Sequence, residues 1–271
     1  MEKLSQKSIK RGFDFKSFFR EWGLIFLILI IIAIASAKRP AFLSGSNLIN
    51  ILRSYSTIGI AALGMAYTVI AGGMDLSISS TVSLSAVLTM LVINATTVDR
   101  VSPDYASFAV LLIGIVVGAV VGCISGGILA AVNGRMGESF IITYAIQIIV
   151  AAVANAVVNG QFQSASYKSG LFKMLGSGVV PVLFFLVIAV IMQFILVKTA
   201  FGRNLYFLGA NMEAAKMAGI RTRRIRFAAH VICGICAGIA GVLVVARVNS
   251  ASIQQGLNYE MDAMACVAVG G

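Results

Sequence analysis

Few side chains in this sequence could do chemistry, and they gather in four places. His230, Cys233 and Cys236 stand in "HVICGICAG" at a spacing that resembles metal ligands. No fourth ligand is near and the surrounding helix is apolar, so we read them as small buried core residues, like Cys123 and Cys266. Asp75, in "AGGMDLSISS", is the one charge between residues 54 and 98. Gly72 and Gly73 weaken a helix there, and Asp75 reads as the N-cap of a helix starting at Leu76. The sharper alternative is a broken helix at membrane depth beside a solute path, where an acidic residue is costly and usually functional. Thr143, Tyr144, Gln147 and Asn155 lie in "SFIITYAIQIIVAAVANAVVNG". At 100° per residue they share an arc of about 120°. That face either pairs with neighbouring helices or lines a hydrated path for a polar solute. The fourth place is "GRNLYFLGANMEAAKMAGI", residues 202–220, where a greasy chain turns basic and polar.

None of these is a catalytic set. His230, the single histidine, has no matched acid or activated serine beside it. "GCISGG" lacks the strand–turn–helix setting of a nucleophile elbow. There is no phosphate-cradling loop with its lysine. The expectation is a protein that is not an enzyme, with no metal and no cofactor; any ATP it uses is bound by another subunit.

The elements that must position these residues are membrane helices. The 271-residue chain is 59% hydrophobic and 11% charged, with a mean hydropathy of +0.96. A water-soluble domain carries roughly a quarter of its residues charged. In lipid only helices and closed barrels satisfy every backbone group, and the long continuous apolar runs here lack the alternation of a barrel. The fold class is therefore all-α, a polytopic transmembrane bundle in the lipid bilayer. Candidate spans are 23–37, 57–72, 76–97, 106–132, 139–158, 179–197 and 227–246. Residues 1–22 read as a basic cytoplasmic N-terminal segment, 23–271 as the transmembrane domain, and 198–226 as a cytoplasmic loop within it. "AIASAKRP" imitates a signal-peptide cleavage site, but the long basic leader favours a retained first span.

The net charge of +11 reads as positive-inside asymmetry and not as a nucleic-acid surface. With the N-terminus in the cytoplasm, 14 of the 21 basic residues fall on that side, including Lys198, Arg203, Lys216, Arg221, Arg223, Arg224 and Arg226. Within the spans, Gly114, Gly118, Gly122 and Gly126 recur every four residues, and Gly234 and Gly238 repeat the device. Such stripes let helix backbones approach closely.

In the opening basic stretch, Asn211 reads as an N-cap and Gly219 as the left-handed C′ residue of a helix over 212–218. Alone, so short a helix is marginal in water, so it must dock on something. Glu213, Ala214 and Ala215, followed after three residues by Gly219, resemble the EAA-x3-G loop of ABC importer permeases. "GGMDLSISS", "FGRNLYFLGANMEAAKMAGI" and "GLNYEMDAMACVAVGG" resemble, in order, three blocks of the ribose-type sugar ABC permeases. The first departs mildly, with Ser79 and Ser80 where a glycine is common.

The resemblance implies a multi-pass permease of the bacterial inner membrane that carries a monosaccharide of the ribose class. It implies a second permease subunit, a cytoplasmic ATPase with two fused nucleotide-binding halves, and a periplasmic sugar-binding protein. Asn211, Glu213, Ala214, Ala215 and Gly219 would form the ATPase-coupling helix. Gly72, Gly73, Asp75, Leu76 and Ser77 would be the membrane signature. The family continues past the point matched by Gly270 and Gly271, so about two spans of about 20 residues each are expected to be missing, from a truncated product or a fragment. The competing readings are a secondary transporter or channel for a small polar solute, an intramembrane enzyme, and a non-transporting assembly subunit.

Overall fold

The computed structural model describes residues 15–97, 103–132, 136–164 and 170–270. The basic residues Lys3, Lys7, Lys10, Arg11, Arg100, Arg135 and Lys168 lie outside the described residues. The chain forms two compact units, divided after Asn50. In the first, α1 (Phe15–Lys38) ends in a basic residue and is followed by a 3₁₀ turn, Pro40–Leu43. Proline opens that turn, where its missing N–H costs nothing. The next helix, α2 (Gly45–Ile70), starts 12 residues before the expected span, because no Gly or Pro interrupts its polar first turns.

The second unit holds α2 from Ile51 onward and the remaining elements: α3 (Ile78–Thr96), α4 (Asp104–Val132), α5 (Met136–Val158), β1 (Gln163–Ser164), α6 (Leu171–Leu175), α7 (Val180–Lys198), α8 (Ala200–Ala210), α9 (Met212–Met217), α10 (Thr222–Val248), β2 (Ser250–Ala251) and α11 (Tyr259–Gly270). Among the described residues, six helices are long and apolar enough to cross a membrane, α2, α3, α4, α5, α7 and α10; the apolar stretch Trp22–Lys38 is shorter. The polytopic all-α architecture is thus as read from the sequence. Two short strands are added to it, pairing antiparallel with Gln163 opposite Ala251.

The core lies along α10, which packs on α4 and α3. The glycine stripe makes the α4–α10 seam. A Cβ on Gly122 would stand 2.5 Å from the His230 carbonyl oxygen, and one on Gly126 2.8 Å from that of Phe227. At Gly118 and Gly238 a Cβ would strike the backbone of the facing helix outright. By contrast α7 turns Val187, Val190 and Phe194 outward, an apolar surface suited to lipid.

Three boundaries differ from expectation and bear on function. The loop 198–226 is largely helical: α8 fills its first part and α10 takes its last five residues. Thr199 caps α8, its Oγ1 accepting from the Gly202 N–H at 3.2 Å. The third is α3, which begins at Ile78 and not Leu76, leaving 71–77 outside any helix. After β2 the chain turns back into the unit. The Gly256 N–H bonds Ser83 Oγ at 3.0 Å, and the Tyr259 hydroxyl lies 3.0 Å from Thr57 Oγ1 at the start of α11.

Candidate functional site

The short helix α9 is built by its two ends. At its entry Asn211 is extended (φ −159°), and its Oδ1 accepts from the N–H groups of Glu213 and Ala214, each at 3.0 Å. Two of the otherwise orphaned donors of a helix N-terminus are thereby satisfied. At its exit Gly219 stands at φ +77°. The Ile220 N–H reaches back to the Ala215 carbonyl and the Gly219 N–H to that of Lys216, each at 3.0 Å. This pair of bonds is the Schellman exit, in which the left-handed residue is glycine because a Cβ is disfavoured there.

Between the caps the residues divide by face. Ala215 is 2% exposed and docks the helix, and Met212 is half-buried. Glu213, Ala214 and Met217 face outward, with Met217 at 85% exposure. Glu213 and Lys216 form an exposed ion pair at 3.1 Å, an arrangement worth about 1 kcal/mol or less. Arg221, Arg223 and Arg224 flank the helix on the surface. A knob with one apolar tip and a basic surround is thus held rigidly between α8 and α10.

The membrane signature meets α9 from inside. Gly72, at φ +76°, turns the chain after α2 and lies with Gly209, Asn211 and Glu213 around one cavity of about 330 Å³. Beyond it, residues 74–76 pass alongside the first turns of α5. Ser139 Oγ donates to the Met74 carbonyl (2.6 Å) and accepts from its N–H (3.1 Å). Thr143 Oγ1 accepts from the Leu76 N–H at 3.0 Å. These hydroxyls provide for a backbone that no helix provides for, a necessity away from water.

Asp75 is 1% exposed, and its Oδ1 accepts from the N–H (3.0 Å) and hydroxyl (2.5 Å) of Ser77. It does not cap α3 itself. The N-cap position is Ser77, which makes no side-chain cap bond, and Asp75 closes the turn ahead of it. The physical reason is the non-local pull of Ser139 and Thr143, which bond the backbone of Met74 and Leu76 outside the helix and delay its start. On its other side the carboxylate lies against the Cys233 thiol of α10, within side-chain hydrogen-bonding reach.

The four polar residues of α5 do not act together. Thr143 is fully buried and its hydroxyl is committed, donating to the Ser139 carbonyl at 2.8 Å while accepting from Leu76. Gln147 is half-buried and donates from Nε2 to Ser79 Oγ at 2.8 Å. Tyr144 is exposed and stacks on Phe140, and Asn155 is exposed. Sequence reasoning missed Ser139, four residues before Thr143 and on its face; that spacing was the available signal.

His230, Cys233 and Cys236 are all buried along α10. The His230 Nδ1 bonds the Arg226 carbonyl oxygen at 3.0 Å, an ordinary backbone contact within a helix. Among the described residues no three His, Cys, Asp or Glu side chains come together as metal ligands.

Comparison with known proteins gives one family and a consistent set of relatives. The model of a family described as "Branched-chain amino acid transport system / permease component" matches residues 47–271. The ribose import permease protein of Escherichia coli K12 is 30% identical over 96% of this chain and 80% of its own length. The ribose import permease protein of Bacillus subtilis is 32% identical over 97% of this chain and 80% of its own. The galactose/methyl galactoside import permease protein of Escherichia coli K12 is 32% identical over the whole of this chain and 82% of its own. Among solved structures none matches significantly.

Proposed function

We infer the function from one premise: the chain belongs to the branched-chain amino acid transport system / permease component family. It is a multi-pass membrane transport component. We propose that it is the transmembrane subunit of an ATP-driven importer in the bacterial inner membrane, carrying a monosaccharide into the cytoplasm. A separate, fused cytoplasmic ATPase drives it through residues 211–219. A second permease subunit completes the pathway, and a periplasmic binding protein delivers the sugar. The N-terminus and the α8–α9 region face the cytoplasm, on the side that gathers 14 of the 21 basic residues.

The observation that carries this reading is α9. A helix of six residues has no stability of its own. Here it is capped at both ends, anchored by the buried Ala215 and the half-buried Met212, and presents its other side chains outward. That is the build of a part made to be gripped, and a channel or secondary carrier has no need of it. The sugar assignment follows the ribose, allose and galactose permeases among the relatives, although the family description names branched-chain amino acids.

The test is copurification and reconstitution. The chain should bring down an ATPase from its own membranes. Proteoliposomes holding the assembled complex should take up labelled pentose or hexose only with ATP and binding protein. Uptake without ATP would replace this reading with a carrier or channel; uptake of leucine and no sugar would keep the importer and discard the substrate class.

A further inference from the structure

Most basic residues around α9 are on the surface, as their charge requires. Arg226 is not: it stands in the second turn of α10 and is 6% exposed. A guanidinium does not shed its proton in a protein, so burying one is costly unless its surroundings compensate. Its Nη2 donates to the Met212 Sδ at 3.3 Å, at the entry of α9. The Glu138 carboxylate, in the first turn of α5, acts on its charge. Its side chain closes the cavity of about 330 Å³ that Ala71, Gly72, Gly209 and Asn211 also line. Close by, Gly209 of α8 packs directly on the Ile70 carbonyl, at the end of α2.

One residue thus contacts the entry of α9, is subject to the charge of Glu138 at the start of α5 and shares a cavity with the turn at 71–72. From Arg226, α10 runs straight inward. Its carbonyl holds His230, and one turn further Cys233 lies beside Asp75. The distance along the helix from 226 to 233 is about 10 Å.

Resting on the reading of α9 as the ATPase-coupling helix, we propose that Arg226 is a positioning residue that links α9 to the segment 71–77, through its contact with Met212 and the rigid foot of α10. A thioether is a weak acceptor, so the contact with Met212 orients α9 without fixing it. A displacement of α9 changes that contact first. The change passes to Asp75 along a continuous helix and to Gly72 across the shared cavity. Energetic coupling between distant sites runs through chains of packed side chains of this kind, and a double-mutant cycle is the direct test of one link.

The experiment uses the full chain assembled with its ATPase and binding protein in proteoliposomes. Two quantities are read: ATPase retained on pull-down, and the ratio of hydrolysis with sugar-loaded binding protein to hydrolysis without it. Arg226→Lys keeps the charge and loses the planar fork. Its ratio should fall by about twofold to thirtyfold, the range of coupling carried by such contacts, while the ATPase remains bound. Met212→Ala should lower the ratio similarly, and the double variant should be no worse than the worse single. If Arg226→Lys does not accumulate, Met212→Ala reads the same contact alone. A normal ratio in Met212→Ala, losses that multiply in the double variant, or a ratio that falls only in step with ATPase binding overturns the proposal. If the unmodified chain retains no ATPase, the coupling-helix reading falls and this proposal with it.

Discussion

The conformation of Gly219 gives the sharpest test of α9. Its φ is +77°, and a Cβ built there would touch nothing within 4 Å. Any effect of a side chain at this position is therefore conformational, with no steric part. An L-residue in the left-handed region costs roughly 1–2 kcal/mol, asparagine less, and a β-branched residue more. If the backbone relaxes instead, the exit bonds from Gly219 to Lys216 and from Ile220 to Ala215 are lost, each worth about 1 kcal/mol net. A helix of six residues has few other bonds in reserve, among them those from Ala215 to Asn211 and from Ala218 to Ala214. A loss of 1–2 kcal/mol lowers the ratio of formed to unformed exits about five- to thirtyfold. The apparent affinity for the ATPase, titrated by pull-down at equal membrane levels, should fall in the order Gly, Asn, Ala, Val at position 219. Because the residue lies between spans, insertion and abundance should be unchanged. If Gly219→Val binds as well as Gly219→Asn, the left-handed exit is irrelevant to docking and the reasoning is refuted.

Thr143→Val removes the acceptor of the buried Leu76 N–H and should cost about 1–3 kcal/mol, seen as a lower Tm in detergent, while Tyr144→Phe on the exposed side of α5 should leave Tm unchanged. Gly118→Ala drives a Cβ into the Gly234 carbonyl and should cost about 1–3 kcal/mol by prising α4 from α10, so a stable, well-expressed variant would contradict the seam. In a cysteine-free background, Asn211→Cys should be protected from a membrane-impermeant thiol reagent in intact cells and Gln161→Cys labelled; the reverse pattern would invert the topology.

What the sequence disclosed was local. Apolar runs marked the spans, and the four-residue glycine repeat marked a seam that α4 and α10 do form. Asn211 and Gly219 punctuated α9 so plainly that its start could be placed to the residue and its end, read at 218 and found at Met217, to within one, because capping depends on neighbours three or four positions away. What stayed hidden was set by residues far apart in the chain. Position 226 counted as one more loop charge, although α10 begins at Thr222 and buries it. The helix α8 hid behind basic residues, and α11 behind a motif read only for its likeness to a family. The start of α3 moved by two residues because partners 65 and 67 positions away hold the preceding backbone.

That last displacement changes what the polar face of α5 is for. A segment outside any helix, in a protein surrounded by lipid, needs donors and acceptors brought to it. Ser139 and Thr143 bring them, and Gln147 binds the hydroxyl of Ser79 in the first turn of α3. The inward side of α5 is therefore a template against which residues 74–79 are laid. Thr143 is fully buried, and its hydroxyl already donates to the Ser139 carbonyl and accepts from the Leu76 N–H. Asp75 is held differently: it is buried at the centre of this template, bonded to the neighbouring Ser77 and lying against the Cys233 thiol. A carboxylate in that position is costly at rest. The segment that carries it is held by hydroxyls, which exchange partners more cheaply than a helix breaks. The cap read from the sequence is shifted by this arrangement: α3 starts at Ile78 and not Leu76, and Asp75 closes the turn ahead of the N-cap position, Ser77. The surroundings of 71–77 place a non-helical backbone, held by the hydroxyls of Ser139 and Thr143, between α5 and the foot of α10.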